Sequence, residues 1–139
     1  MNQEEINQKI LHLITNNEDF KKEKDLFKKL INQCDINLKN DFGNTPLTVI
    51  LNYNKTQEMN FTNQEIYELL EKCDINQKVQ DNKTIMYVLL ENIKKEQIKL
   101  EVQQIEYFLD KSNFNELNKQ GSTLFYKLWE VVHYEKSFF

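Results

Sequence analysis

The chain contains no alanine and no arginine, and it has only two glycines, one proline, two cysteines and two histidines among 139 residues. Each shortage excludes something. Without arginine, the planar two-pronged recognition of phosphate or carboxylate by guanidinium is missing. Combined with a net charge of −4, this argues against nucleic acid as a partner, because such binding leans on a basic face. Gly43 and Gly121 cannot form a glycine-rich phosphate cradle. His12 and His133 stand far apart in sequence and without obvious partners, whereas metal ligation or general-base chemistry needs close neighbours. No apolar run approaches the length of a membrane span. The start, Met1-Asn2-Gln3-Glu4-Glu5, lacks the basic and apolar segments of a secretory signal. A cytoplasmic setting is the resulting expectation. The abundance of Asn, Lys and Gln fits a codon bias toward A and T.

What is present is a repeat. Cys34-Asp35-Ile36-Asn37 returns 39 residues later as Cys73-Asp74-Ile75-Asn76, and after the same interval as Ser112-Asn113-Phe114-Asn115. The register extends without gaps. Thr45, Thr84 and Thr123 align, as do Leu47, Met86 and Phe125, and Ile50, Leu89 and Leu128. Ile66, Leu69 and Leu70 match Ile105, Phe108 and Leu109 one unit later, and Phe27, Leu30 and Ile31 one unit earlier. A period in this range belongs to stacked-repeat architectures, whose units are each too small to bury an apolar face alone.

Each unit reads as two helices and a turn. Asp41-Phe42-Gly43-Asn44 has turn chemistry. Thr45-Pro46 then opens a helix with a capping hydroxyl and a preset first residue. Thr62-Asn63-Gln64-Glu65 has capping-box spacing ahead of the stripe Ile66, Leu69 and Leu70. The spacing predicts helices near 83–95, 100–111 and 123–135, preceded by a pair over 3–16 and 22–33. That makes seven helices and no strand.

The stretch from Cys34 to Leu47, with Asp-x-Asn, a glycine turn and Thr45-Pro46-Leu47, resembles the ankyrin-repeat pattern. The second unit keeps Asp74, Asn76 and Thr84 but has Asn82 for the glycine and Ile85 for the proline; the third keeps Asn115, Gly121 and Thr123. Two departures stand out: the ankyrin period is about 33 residues, and the small residues of its first helix are Ile50 and Leu51 here. The extra length falls between the paired helices. The expected fold is therefore an all-α, ankyrin-like helical-pair solenoid of about three and a half repeats. Residues 1–33 would form a capping pair, 34–72 and 73–111 two repeats, and 112–139 a truncated one, all within a single domain.

The resemblance implies a binding surface made of turn tips and the exposed edge of each first helix. In this chain those positions are Lys39, Asp41, Phe42, Asn44, Asn52 and Tyr53, then Lys78, Gln80, Asp81, Lys83, Glu91 and Asn92. The third unit adds Leu117, Lys119, Gln120, Ser122, Glu130 and Val131. Phe42 is the sharpest of these, because turn chemistry does not explain an aromatic at a polar tip, and aromatics anchor interfaces. Cys34 and Cys73 should lie about 10 Å apart if helix packing sets the step between repeats, too far for the roughly 7 Å limit of a disulfide. They are expected to fill a small slot at each repeat junction.

The expected function is non-enzymatic protein binding without cofactor, metal, small-molecule substrate, nucleic acid or membrane. Its more specific form is an inhibitor or immunity protein that neutralises a basic toxin or enzyme, suggested by small size and acidic charge. The alternative is a structural subunit of a larger assembly, docking through the apolar end that holds Trp129, Val132, Phe138 and Phe139.

Overall fold

The computed structural model describes residues 1–113. Seven α-helices occur among them: α1 Gln3–Thr15, α2 Asn17–Lys22, α3 Lys24–Leu30, α4 Pro46–Tyr53, α5 Asn63–Lys72, α6 Ile85–Lys94 and α7 Val102–Lys111. Among the described residues there is no strand, only an isolated bridge between Lys78 and Thr84. The expected helix over 123–135, the truncated third unit and the C-terminal tail lie outside the described residues.

Helix starts follow the local chemistry. The Thr45 hydroxyl accepts from Thr48 N–H while the Thr48 hydroxyl accepts from Thr45 N–H, with Pro46 in the first turn. Thr62 and Glu65 form the same reciprocal pair at the start of α5. Thr84 caps α6 by accepting from Tyr87 N–H. These bonds satisfy backbone donors that a helix N-terminus otherwise leaves unmet.

The predicted helix over 22–33 is corrected. That helix is present as α3 but shorter, and a further short helix, α2, which the sequence reading did not expect, precedes it; the two are broken at Glu23, whose φ of −124° and ψ of 32° depart from helical values. Asn16 supplies the reason for the early start. It ends α1 and also caps α2, its side chain accepting from Asp19 N–H. The break turns Phe20 and Phe27 toward each other, with ring centroids 5.1 Å apart in an edge-to-face arrangement.

The helices pack in a regular order. α4 lies against α1, α5 and α6, while α1 also contacts α2 and α3. On the other side, Tyr67 of α5 meets Phe108 of α7 at 5.5 Å between ring centroids. One apolar cluster runs through all seven helices, with Ile10, Leu13, Phe27, Leu47, Ile50, Ile66, Met86, Leu89, Ile105 and Phe108 all but fully buried. The connections between paired helices join this core. Met59 and Ile98 are buried, as are Phe61 and Leu100, each pair 39 residues apart. Asn54 pins the first connection, its Nδ2 donating to Phe61 O at 3.0 Å and its Oδ1 accepting from Phe61 N–H at 2.9 Å.

Several junction bonds recur from unit to unit. Asn37 Oδ1 accepts from Asp74 N–H at 2.9 Å, and Asn76 Oδ1 accepts from Asn113 N–H at 2.6 Å. At the start of the chain Asn7, on a helix rather than in a turn, accepts from Asp35 N–H at 2.9 Å. Asp35 and Asp74 each accept from the backbone N–H two residues on. The Cys34 and Cys73 thiols donate to Ile31 O and Leu70 O, and the Ser112 hydroxyl donates to Leu109 O in the same way. Serine can follow cysteine in the repeat because both fit the slot and both donate.

Candidate functional site

Two turns carry most of the predicted surface positions that fall among the described residues. In the first, Asn40 N–H donates to Asn44 O, and Gly43 N–H donates to Asn40 O. Asn40 Oδ1 also accepts from the backbone N–H groups of Phe42 and Asn44, and Asn40 Nδ2 donates to Thr15 Oγ1. Gly43 has φ +83°, a conformation glycine adopts freely. In the second turn Val79 N–H donates to Lys83 O and Asn82 N–H to Val79 O. Asn82 takes the place of Gly43 with φ 60°, and Asp81 beside it has φ 63°. Asparagine and aspartate tolerate this region better than other side chains do.

The turns touch. A Cβ built on Gly43 would lie 3.3 Å from the Gln80 backbone. Lys39 Nζ donates to Lys78 O at 3.2 Å, which ties the two turns a second time. Phe42 stands on the first turn with 65 % of its surface exposed, and Tyr53 at the end of α4 with 48 % exposed. Neither ring folds back into the protein. Asp41 and Asp81 are exposed beside them on the turn tips.

Below the tips a cleft of about 110 Å³ opens along α4 and α6. The first unit contributes Asn44, Thr48 and Asn52, and the second turn contributes Val79, Gln80, Asp81 and Lys83. Val88, Glu91 and Lys95 complete the lining. Six residues chosen from sequence therefore share one space: Asn44, Asn52, Gln80, Asp81, Lys83 and Glu91. Lys83 and Glu91 form an ion pair at 3.0 Å, with the ammonium 5.1 Å from the Tyr87 ring centroid. The Glu91 carboxylate, through that hydrogen bond, raises the Lys83 pKa above its ordinary value.

Phe42, Asp41, Lys39, Lys78 and Tyr53 lie outside the cleft lining, on the tips and at the α4 end. Asn92 is corrected: it is buried rather than offered to a partner. Its Nδ2 donates to Val88 O at 2.9 Å and to Asn52 Oδ1 at 2.8 Å, tying α6 to α4. Its position one helical turn after Val88 puts it on the inward face. Lys119, Gln120 and Glu130, with Leu117, Ser122 and Val131, lie outside the described residues. Sequence reasoning missed Thr48, Val79, Val88 and Lys95. Thr48 and Lys95 could have been found by helical spacing, since Thr48 precedes Asn52 by one turn and Lys95 follows Glu91 by one turn.

Cys34 and Cys73 are free thiols, partly buried at the junctions. Burial pushes the Cys34 thiol up to about 11 and the Cys73 thiol up to about 12. His12 Nε2 lies 2.7 Å from Asp19 Oδ2, on the side of the chain formed by α1 and α2. Among the described residues no group of three or more His, Cys, Asp or Glu side chains gathers where it could hold a metal ion. Among the same residues, no helix is long and apolar enough to cross a membrane. No family model, curated protein or solved structure matches this chain.

Proposed function

We propose that the chain is a protein-binding module of divergent ankyrin-like construction, without catalytic activity of its own. It would engage another protein through its turn tips and the adjoining concave face of its first helices. The observation that carries this reading is the exposed Phe42 ring on a turn fixed by four hydrogen bonds to Asn40, beside the cleft. An apolar ring held rigidly in water gains most when a partner covers it, and little ordering entropy is lost on binding. The 39-residue recurrence of the junction bonds supports the repeat construction. The inhibitor or immunity role against a basic protein is the more specific form, supported by the net charge of −4.

Affinity capture from a native lysate tests the module. Wild type should retain a protein that the Phe42→Ala, Tyr53→Ala double variant loses while keeping the wild-type circular dichroism. If both forms retain the same proteins, the tips and the α4 end are not the binding surface. If the captured protein is an enzyme whose activity falls on binding, the inhibitor form is supported.

A further inference from the structure

We propose that the cleft beneath the turn tips holds an extended segment of the partner by its backbone, clamped by the side-chain amides of Asn44, Asn52 and Gln80. This rests on the protein-binding reading above and specifies what the partner presents.

The chain already binds peptide backbone with carboxamides at its own junctions. Asn54 grips both the N–H and the C=O of Phe61. Asn76 accepts from Asn113 N–H while donating to Lys111 O at 3.0 Å. Gln77 Nε2 donates to Asn37 O at 2.8 Å. A carboxamide suits this task because it carries a donor and an acceptor side by side, as the backbone does.

In the cleft three such groups have capacity to spare. Asn52 Oδ1 accepts from Asn92, which fixes the side chain and leaves Asn52 Nδ2 to donate. Among the described residues, the side-chain amides of Asn44 and Gln80 make no hydrogen bond, although both line the cleft. Asn44 precedes the Thr45 cap of α4, and Asn52 lies seven residues beyond that cap, roughly 10 Å along the helix at 1.5 Å per residue. An extended chain covers that distance in roughly three to four residues.

Size and charge narrow the occupant. At about 110 Å³ the cleft is well below the roughly 300 Å³ at which pockets begin to enclose small molecules. A strand of polypeptide crossing it needs no such enclosure. Its charges balance, with Lys83 paired to Glu91 and Lys95 offset by Asp81. Recognition inside the cleft is therefore by hydrogen bonding rather than by net charge. Phe42 and Tyr53 flank it and would take apolar side chains before and after the clamped residues.

The test selects short random peptides, displayed on phage, against the folded full chain. Enriched peptides are then titrated calorimetrically against wild type, Asn44→Ala, Gln80→Ala and the Phe42→Ala, Tyr53→Ala double variant. Among the described residues the Asn44 and Gln80 side chains hold no hydrogen bond, so these variants should keep the fold, as checked by circular dichroism. Each single amide variant should weaken binding about fivefold, as should N-methylation of a central peptide nitrogen. Affinity should change little between roughly 50 and 300 mM salt. Peptides that bind through Phe42 and Tyr53 but ignore both amide variants and N-methylation would overturn the backbone clamp and leave the binding module standing. Lysine-rich peptides with steep salt dependence would overturn it likewise. If no peptide is enriched, or if enriched peptides ignore every variant, the clamp is overturned, and the module then depends on the capture experiment alone.

Discussion

At the scale of single residues, the side-chain amides join one unit to the next. Asn37 and Asn76 occupy the same place in successive units and accept from the same backbone donor of the following one. Replacing Asn37 by alanine should cost about 1 kcal/mol, the usual net value of such a bond. Asn37→Asp keeps an acceptor and should cost less, a difference that urea denaturation of the two variants would reveal. The thiols make a second residue-scale case. A reactive cysteine needs an accessible thiolate, yet Cys34 and Cys73 are partly buried, and burial pushes their pKa values to about 11 and 12 from the ordinary 9.0. Alkylation by iodoacetamide near pH 8 should be slow in the folded protein and rise sharply on unfolding. Equal rates in both states would show that the junction slots open readily.

At the scale of elements, helix starts and turns divide into what was legible and what was not. The Thr45, Thr62 and Thr84 starts were readable because a cap is local chemistry written in three or four adjacent residues. The break at Glu23 was not, since no glycine or proline marks it; the cue was Asn16 with Glu18 and Asp19 after it, a second cap hidden inside one apolar pattern. The buried Met59, Phe61, Ile98 and Leu100 were also missed, because connections without helical periodicity show their core residues only through tertiary packing. Six of the positions that alignment chose line the cleft, but it put Asn92 on the exposed face, although its partners Val88 and Asn52 draw it inward. The start of α5 gives an element-scale prediction. The Glu65 carboxylate is held below its ordinary pKa of 4.5, first by the hydrogen bond from Thr62 N–H and also by nearby Lys28. A depressed folded pKa means the stabilisation is present above the unfolded value and lost as pH falls through the folded one. Because the side chain is 38 % exposed, screening limits the effect to about 0.5 kcal/mol. Glu65→Gln keeps an acceptor in the capping box and should flatten this acid dependence in denaturation curves measured from pH 6 down to roughly pH 3.

At the scale of the whole molecule, the question is whether the units behave as one body. The junction amides are mostly exposed, so each contributes modestly, and the continuous apolar cluster from α1 to α7 carries the larger share of the coupling. In stacked repeats, stability is a sum of weak unit terms and strong neighbour terms, which makes a short stack unfold together. Leu13 on α1 and Leu89 on α6 sit far apart in sequence, and both are fully buried. Either one changed to alanine should cost about 2–5 kcal/mol. If coupling dominates, each variant shifts a single transition, and helix loss by circular dichroism coincides with the collapse of amide protection across α1 to α7. If the neighbour terms are weak, Leu13→Ala would release α1, α2 and α3 first and leave the protection of α6 unchanged. The burial of Phe27 against both Phe20 and Phe61 argues for the single transition, because that ring joins the first three helices to the connection that leads into α5.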